Sequence, residues 1–123
     1  MATRSHIGKL LDDGSIKYIY CHFDGYPEHN GEILKEHYKT EAKIDALLEL
    51  GDISILGEEI GEKQNFNNRQ SNNMCLAYGR DRGDTDIEAR IAEGVYEFRD
   101  QTYSYLWDGK SWKCYHGGYE IKF

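Results

Sequence analysis

Along residues 16–23, IKYIYCHF, the side chains alternate: Ile16, Tyr18, Tyr20 and His22 fall on one side, Lys17, Ile19, Cys21 and Phe23 on the other. That is the period of two that a strand imposes. Residues 3–11 precede this run, and the intervening Asp12-Asp13-Gly14 is a strong turn signal, so the chain opens with a hairpin. The same order returns near the other end. Residues 103–107, YSYLW, then Asp108-Gly109, then residues 110–115 predict a second hairpin, and Gly117-Gly118 sets off a last strand over 119–123. Between the hairpins the period becomes that of a helix. Asn30 stands where it can cap a short helix with Ile33, Leu34, His37 and Tyr38 on one face. Thr40 caps a second, with Ile44, Leu47 and Leu48 at helical spacing and Gly51 as its stop.

The middle of the chain has no such rhythm. Residues 57–73 are rich in Gly, Asn and Glu, with Ile60 and Phe66 as the large apolar side chains, and read as a long surface loop. A short strand follows over 74–78, then a charged turn over 79–86, GRDRGDTD. Residues 88–98 fit two patterns: Ile91, Val95 and Phe98 have helical spacing, while 95–98 alone fit a strand; we read a helix at the start. The order β-β-α-α-loop-β-(α)-β-β predicts a single α+β domain over 1–123, an antiparallel sheet with two helices packed on one face.

Composition narrows the functions. The 123 residues suit one domain, and a net charge of -7 repels polyanions, so non-specific nucleic-acid binding is not expected. A small anionic ligand remains compatible, because a few arginines and backbone amides reverse the potential inside one pocket. Cys21, Cys75 and Cys114 are odd in number and lack a C-x-x-C pair, so neither a disulfide framework nor a zinc knuckle is written here. No stretch approaches the roughly 18 apolar residues of a membrane span, so a cytoplasmic protein without a membrane partner is expected.

Three stretches carry candidate chemistry. DGYPEHNG, residues 24–31, is at least a strand-to-helix turn in which Gly25 supplies an unusual backbone angle and Pro27 stiffens the chain. It also gathers Asp24, Tyr26, Glu28 and His29 close to His22, more polar groups than a turn requires. With His37 added, His22, Asp24 and His29 are enough ligands for a metal, but five histidines in a small domain cluster by chance, and no cofactor is expected. In GRDRGDTD, Arg80 and Arg82 either pair with the neighbouring aspartates or fork onto phosphate, with Tyr78 as an adjacent stacking plane. Ten tyrosines against four phenylalanines suggest partly exposed rings, with Tyr103, Tyr105 and Trp107 on one face of the second hairpin and Trp112 beyond its turn. Cys21 and His22, as strand neighbours, point to opposite faces and form no dyad; G-x-S-x-G, Walker and G-x-G-x-x-G patterns are absent. A binding protein rather than an enzyme is expected.

The blocks ATRSHIG, IYCHFDGYPEHNGEILKEHY, LGDISILG, YGRDRGDT and YSYLWDGKSW occur in this order over most of the chain. In them the protein resembles a family of small proteins encoded in tailed phages and prophages. In scale and style it is similar to the sponges that defeat Thoeris and related defences by binding a nucleotide-derived messenger without cleaving it. The resemblance implies a homo-oligomeric counter-defence protein that sequesters a cyclic ADP-ribose isomer or a cyclic oligonucleotide. Arg80 and Arg82 would hold phosphate, Tyr26 or Tyr78 would stack the base, and Asp24 and His29 would bond ribose or base edges. Two alternatives stand beside it: a protein-binding inhibitor of a host defence nuclease (anti-CRISPR or anti-restriction), and a cyclic-nucleotide hydrolase working through His22, Asp24 and His29.

Overall fold

The computed structural model describes residues 2–123. The first hairpin forms as the alternation requires: β1 (Ser5–Leu10) and β2 (Ile16–Cys21) pair antiparallel, with His6 opposite Tyr20 and Gly8 opposite Tyr18. The second forms from β6 (Tyr103–Trp107) and β7 (Trp112–His116), and β8 (Tyr119–Ile121) extends it. The two hairpins join through β1 and β6, which run parallel with His6 opposite Ser104. At the other side Cys21 of β2 pairs parallel with β3 (Ile53–Ile55), which pairs antiparallel with β4 (Leu76–Ala77). The first half of β2 instead pairs antiparallel with β5 (Arg90–Ala92). The result is one eight-stranded sheet in the order β4-β3-β2-β1-β6-β7-β8, with β5 beside β2. The fold is α+β, but the sheet is mixed, which corrects the all-antiparallel expectation. Hairpins announce themselves through a local turn, whereas a parallel joint such as β1 with β6 connects distant segments and leaves no local signature.

Helical elements lie on both faces of this sheet. A π-helical turn over Pro27–Gly31 runs into α1 (Glu32–His37), and α2 (Glu41–Glu49) follows, its N-terminus capped by Thr40, whose Oγ1 accepts from the Lys43 amide at 3.3 Å. Leu34 and Tyr38 from α1 and Ile44, Leu47 and Leu48 from α2 pack with Ile7, Ile19, Cys21 and Tyr105 in the larger core cluster. Ile16 and Leu106, on the opposite face, pack with Ala92 of β5 and Phe98 of α4 (Val95–Phe98). Gly8 permits this second cluster, because a Cβ there would stand 2.8 Å from both Ile16 and the Phe98 ring. Residues 88–98 thus take strand first and helix second, the reverse of the sequence expectation. Pairing with β2 claims Arg90–Ala92, and burial of Phe98 fixes the turn that follows.

Asn30 is not a helix cap. Its side chain is fully buried and donates to Ser5 Oγ at 3.3 Å and Cys21 Sγ at 3.4 Å, tying the turn to the first hairpin. Among the described residues no helix is long and apolar enough to cross a membrane.

Candidate functional site

The YGRDRG block is a structural hub. The chain leaves β4 directly into α3 (Tyr78–Arg82), which Gly83 closes at φ +83°. The Asp81 side chain is wholly enclosed and accepts from the amides of Gln64 (3.0 Å) and Ala77 (2.7 Å). Burial opposes its charge, yet the Arg80 hydrogen bonds and those two amides win, and its pKa lies below the ordinary value. Arg80 uses four of its five N–H donors inside the protein: two on Asp81 and one each on the carbonyls of Ile60 (2.8 Å) and Cys75 (2.7 Å). Gln64, also buried, adds a bond from Nε2 to the Cys75 carbonyl at 3.0 Å. The long segment 57–73 is therefore stitched down at its middle. One N–H is left, so Arg80 has no free fork for the phosphate role expected of it.

Arg82 takes the plainer of its two expected roles. It forks onto Asp84 at 2.9 and 2.6 Å and lies over the rings of Phe66 and Tyr78, 4.6 and 4.9 Å from their centroids. The Tyr78 ring is itself stacked on Phe66 at 5.6 Å, so its stacking partners are already internal.

DGYPEHNG is likewise mostly structural. The Gly25 amide donates to the Thr3 carbonyl at 2.8 Å, and the buried Tyr105 hydroxyl donates to the Gly25 carbonyl at 2.6 Å; a Cβ on Gly25 would lie 2.8 Å from the Thr3 oxygen. Asp24 and His29 line a groove of about 380 Å³ with Glu58, Arg69, Asn72 and Asn73, while Tyr26 donates to Asp24 at 3.3 Å from outside it. The six residues expected to form one site therefore fall in two places, around α3 and around this groove. His22 faces Tyr20, its Nδ1 2.7 Å from the hydroxyl, and among the described residues no three His, Cys, Asp or Glu side chains are grouped to hold a metal.

The most chemically differentiated cavity lies on the α4 face of the sheet. It measures about 310 Å³ and is lined by His6, Tyr18, Tyr20, Asp52, Arg90, Asp100 and Gln101. The period of two puts Tyr18 and Tyr20 on this face, hairpin register sets His6 opposite Tyr20, and β5 sets Arg90 opposite Tyr18. Asp52 enters from the turn after α2, where its amide donates to the Ile87 carbonyl at 2.7 Å. Its carboxylate accepts from the Tyr20 amide (2.9 Å) and takes both terminal nitrogens of Arg90 (2.9 and 2.7 Å). The Asp52 side chain is 11% exposed and that of Arg90 45%, so the guanidinium is clamped along one edge and open along the other. A planar fork held this way is pre-oriented for an anion.

His6 is 7% exposed, and its Nδ1 lies 2.9 Å from the Phe98 carbonyl and 3.4 Å from Asp100. A carbonyl only accepts, so Nδ1 carries the hydrogen and Nε2 keeps its lone pair. Burial lowers the His6 pKa against the opposing pull of the Phe98 carbonyl and Asp100, which keeps the ring neutral at pH 7. The cleft thus presents a charged fork, two phenols, a neutral imidazole acceptor and an exposed carboxylate within one small volume. Perturbed titratable groups converging in a cleft make it the candidate functional site.

The alternation of Tyr18, Tyr20 and His22 was visible in the sequence, and counting back through the hairpin turn would have added His6. Nothing local pointed to Asp52 or Arg90, which the fold brings in from separate segments. No family model, curated protein or solved structure matches the chain, so the reading of this cleft rests on its own geometry.

Proposed function

We propose that this protein binds a small nucleotide-derived ligand in the His6 cleft and holds it without cleaving it, in the manner of a phage counter-defence sponge for a cyclic ADP-ribose isomer or a cyclic oligonucleotide. The observation that carries the reading is Arg90, clamped by Asp52 and half open beside two tyrosine rings. Phosphate accepts from the free edge of Arg90, and the ring of Tyr18 or Tyr20 gives a base its apolar face. His6 Nε2 and Asp100 accept from base amino or ribose hydroxyl groups, and Gln101 supplies either polarity. The lining includes no serine, threonine or cysteine, so turnover through a covalent intermediate on one of those side chains has no residue to carry it. The nearest thiol in sequence, Cys21, is buried, with its pKa pushed up to about 12.

A volume of about 310 Å³ suits one nucleoside phosphate unit rather than a whole cyclic oligonucleotide. In this reading a second copy related by symmetry encloses the rest of the ligand, and sedimentation gives a mass above that of one chain.

The test incubates the protein with a panel of ADP-ribose isomers and cyclic oligonucleotides, filters off the protein, heats it and weighs what is released. Depletion of one compound followed by its intact recovery is expected, with Asp100→Asn weakening retention about tenfold. Recovery at a changed mass would make the protein a hydrolase and overturn the reading. Depletion of nothing would overturn it too, and shift attention to a protein target.

A further inference from the structure

On the opposite face of the sheet, beyond the C-terminal end of α1, lies a second groove of about 320 Å³ lined by Lys35, Lys39, Trp107, Lys110, Ser111 and Trp112. Its charge runs against the molecule. The chain carries -7, yet the ionisable side chains lining this groove are three lysines. The nearby Asp108 carboxylate is engaged by the Lys110 and Ser111 amides, both at 2.9 Å, within its own turn. Lys35 donates to the Phe123 carbonyl at 2.5 Å, while Lys39 and Lys110 are exposed and make no side-chain hydrogen bond or ion pair among the described residues. The floor is a pair of indoles with ring centroids 5.6 Å apart. Trp112 donates to the Tyr38 carbonyl at 2.9 Å, but Trp107, 6% exposed, has its N–H buried without an acceptor among the described residues.

Two unfavourable features therefore meet here. Lys39 and Lys110, from the loop after α1 and the β6–β7 turn, have no counter-charge among the described residues, and the Trp107 donor below them has no partner there, a defect that native structures rarely keep. An anion held between Lys39 and Lys110 supplies the counter-charge that the groove lacks.

We propose that this groove is a second ligand site, taking a small molecule with an aromatic body and a phosphate or carboxylate group. Lys39 and Lys110 hold the anion, and the lysine stems with the narrow accessible margin of the two indoles pack the ring. The site lacks the acceptors of the His6 cleft, so it selects charge and shape rather than a hydrogen-bonding pattern, and it does not depend on the function proposed for that cleft.

Both tryptophans of the chain line this groove, so intrinsic fluorescence reports on it selectively. Phenyl phosphate is titrated into the wild type, into Lys39→Gln/Lys110→Gln and into Arg90→Gln, with benzyl alcohol as the uncharged counterpart. The expected result is a saturable change with phenyl phosphate, weakened about tenfold in the double lysine variant and unaltered in Arg90→Gln, with benzyl alcohol far weaker. Both lysines are exposed and unpaired, so the double variant retains the wild-type circular dichroism. Equal binding by wild type and lysine variant, equal binding of benzyl alcohol, or no saturable change would each overturn the proposal.

Discussion

Residues that look alike in the sequence are separated by what encloses them. Arg80 and Arg82 stand two apart in one charged turn, yet Arg80 neutralises a wholly enclosed Asp81 while Arg82 pairs with Asp84 at the surface. Arg80→Gln leaves a buried carboxylate without its cation and lowers stability by about 3 kcal/mol or more, whereas Arg82→Gln breaks a solvent-screened surface pair and leaves the unfolding midpoint nearly unchanged. Urea unfolding of the two variants at neutral pH separates them; equal midpoints would refute the hub assigned to Asp81. His6 makes a second residue-level prediction. Its pKa in the folded chain lies below the ordinary 6.5, so as pH falls the unfolded chain takes up a proton first. The stability contributed by the neutral ring is complete above about 6.5 and drains away as pH drops toward the folded value. Between about pH 7.5 and pH 5.5 the wild-type urea midpoint falls, and His6→Gln shows a flatter profile. Parallel profiles would mean that His6 does not titrate against the fold.

At the scale of elements, legibility followed the range of the interaction that fixes each one. The hairpins at Asp12-Asp13-Gly14 and Asp108-Gly109 were legible because turn and strands are contiguous, and Thr40 and Gly51 marked the ends of α2 for the same reason. The stretch 88–98 was not, since Arg90–Ala92 has little strand character of its own and becomes a strand by pairing with β2. The loop 57–73 was recognised as irregular but not as anchored, because the side chain that anchors it, Gln64, is polar and nothing in its neighbours marks it as buried. The candidate site followed the same rule. One wall, Tyr18 and Tyr20, came from local alternation; the Asp52–Arg90 clamp spans segments that meet only in the folded sheet.

For the whole molecule, the mixed sheet separates two chemistries. One face carries α1, α2 and the larger core and ends in a lysine and indole groove; the other carries α4, a smaller core and the polar cleft. The central claim is that this cleft, organised by the Asp52–Arg90 clamp, holds the ligand. The most direct measurement runs the depletion and release assay with wild type and Arg90→Gln at equal folded concentration, checked by circular dichroism. Wild type is expected to remove one compound from the panel and return it intact, while Arg90→Gln leaves that compound in solution. Equal depletion by a folded Arg90→Gln would place the ligand elsewhere and contradict the account.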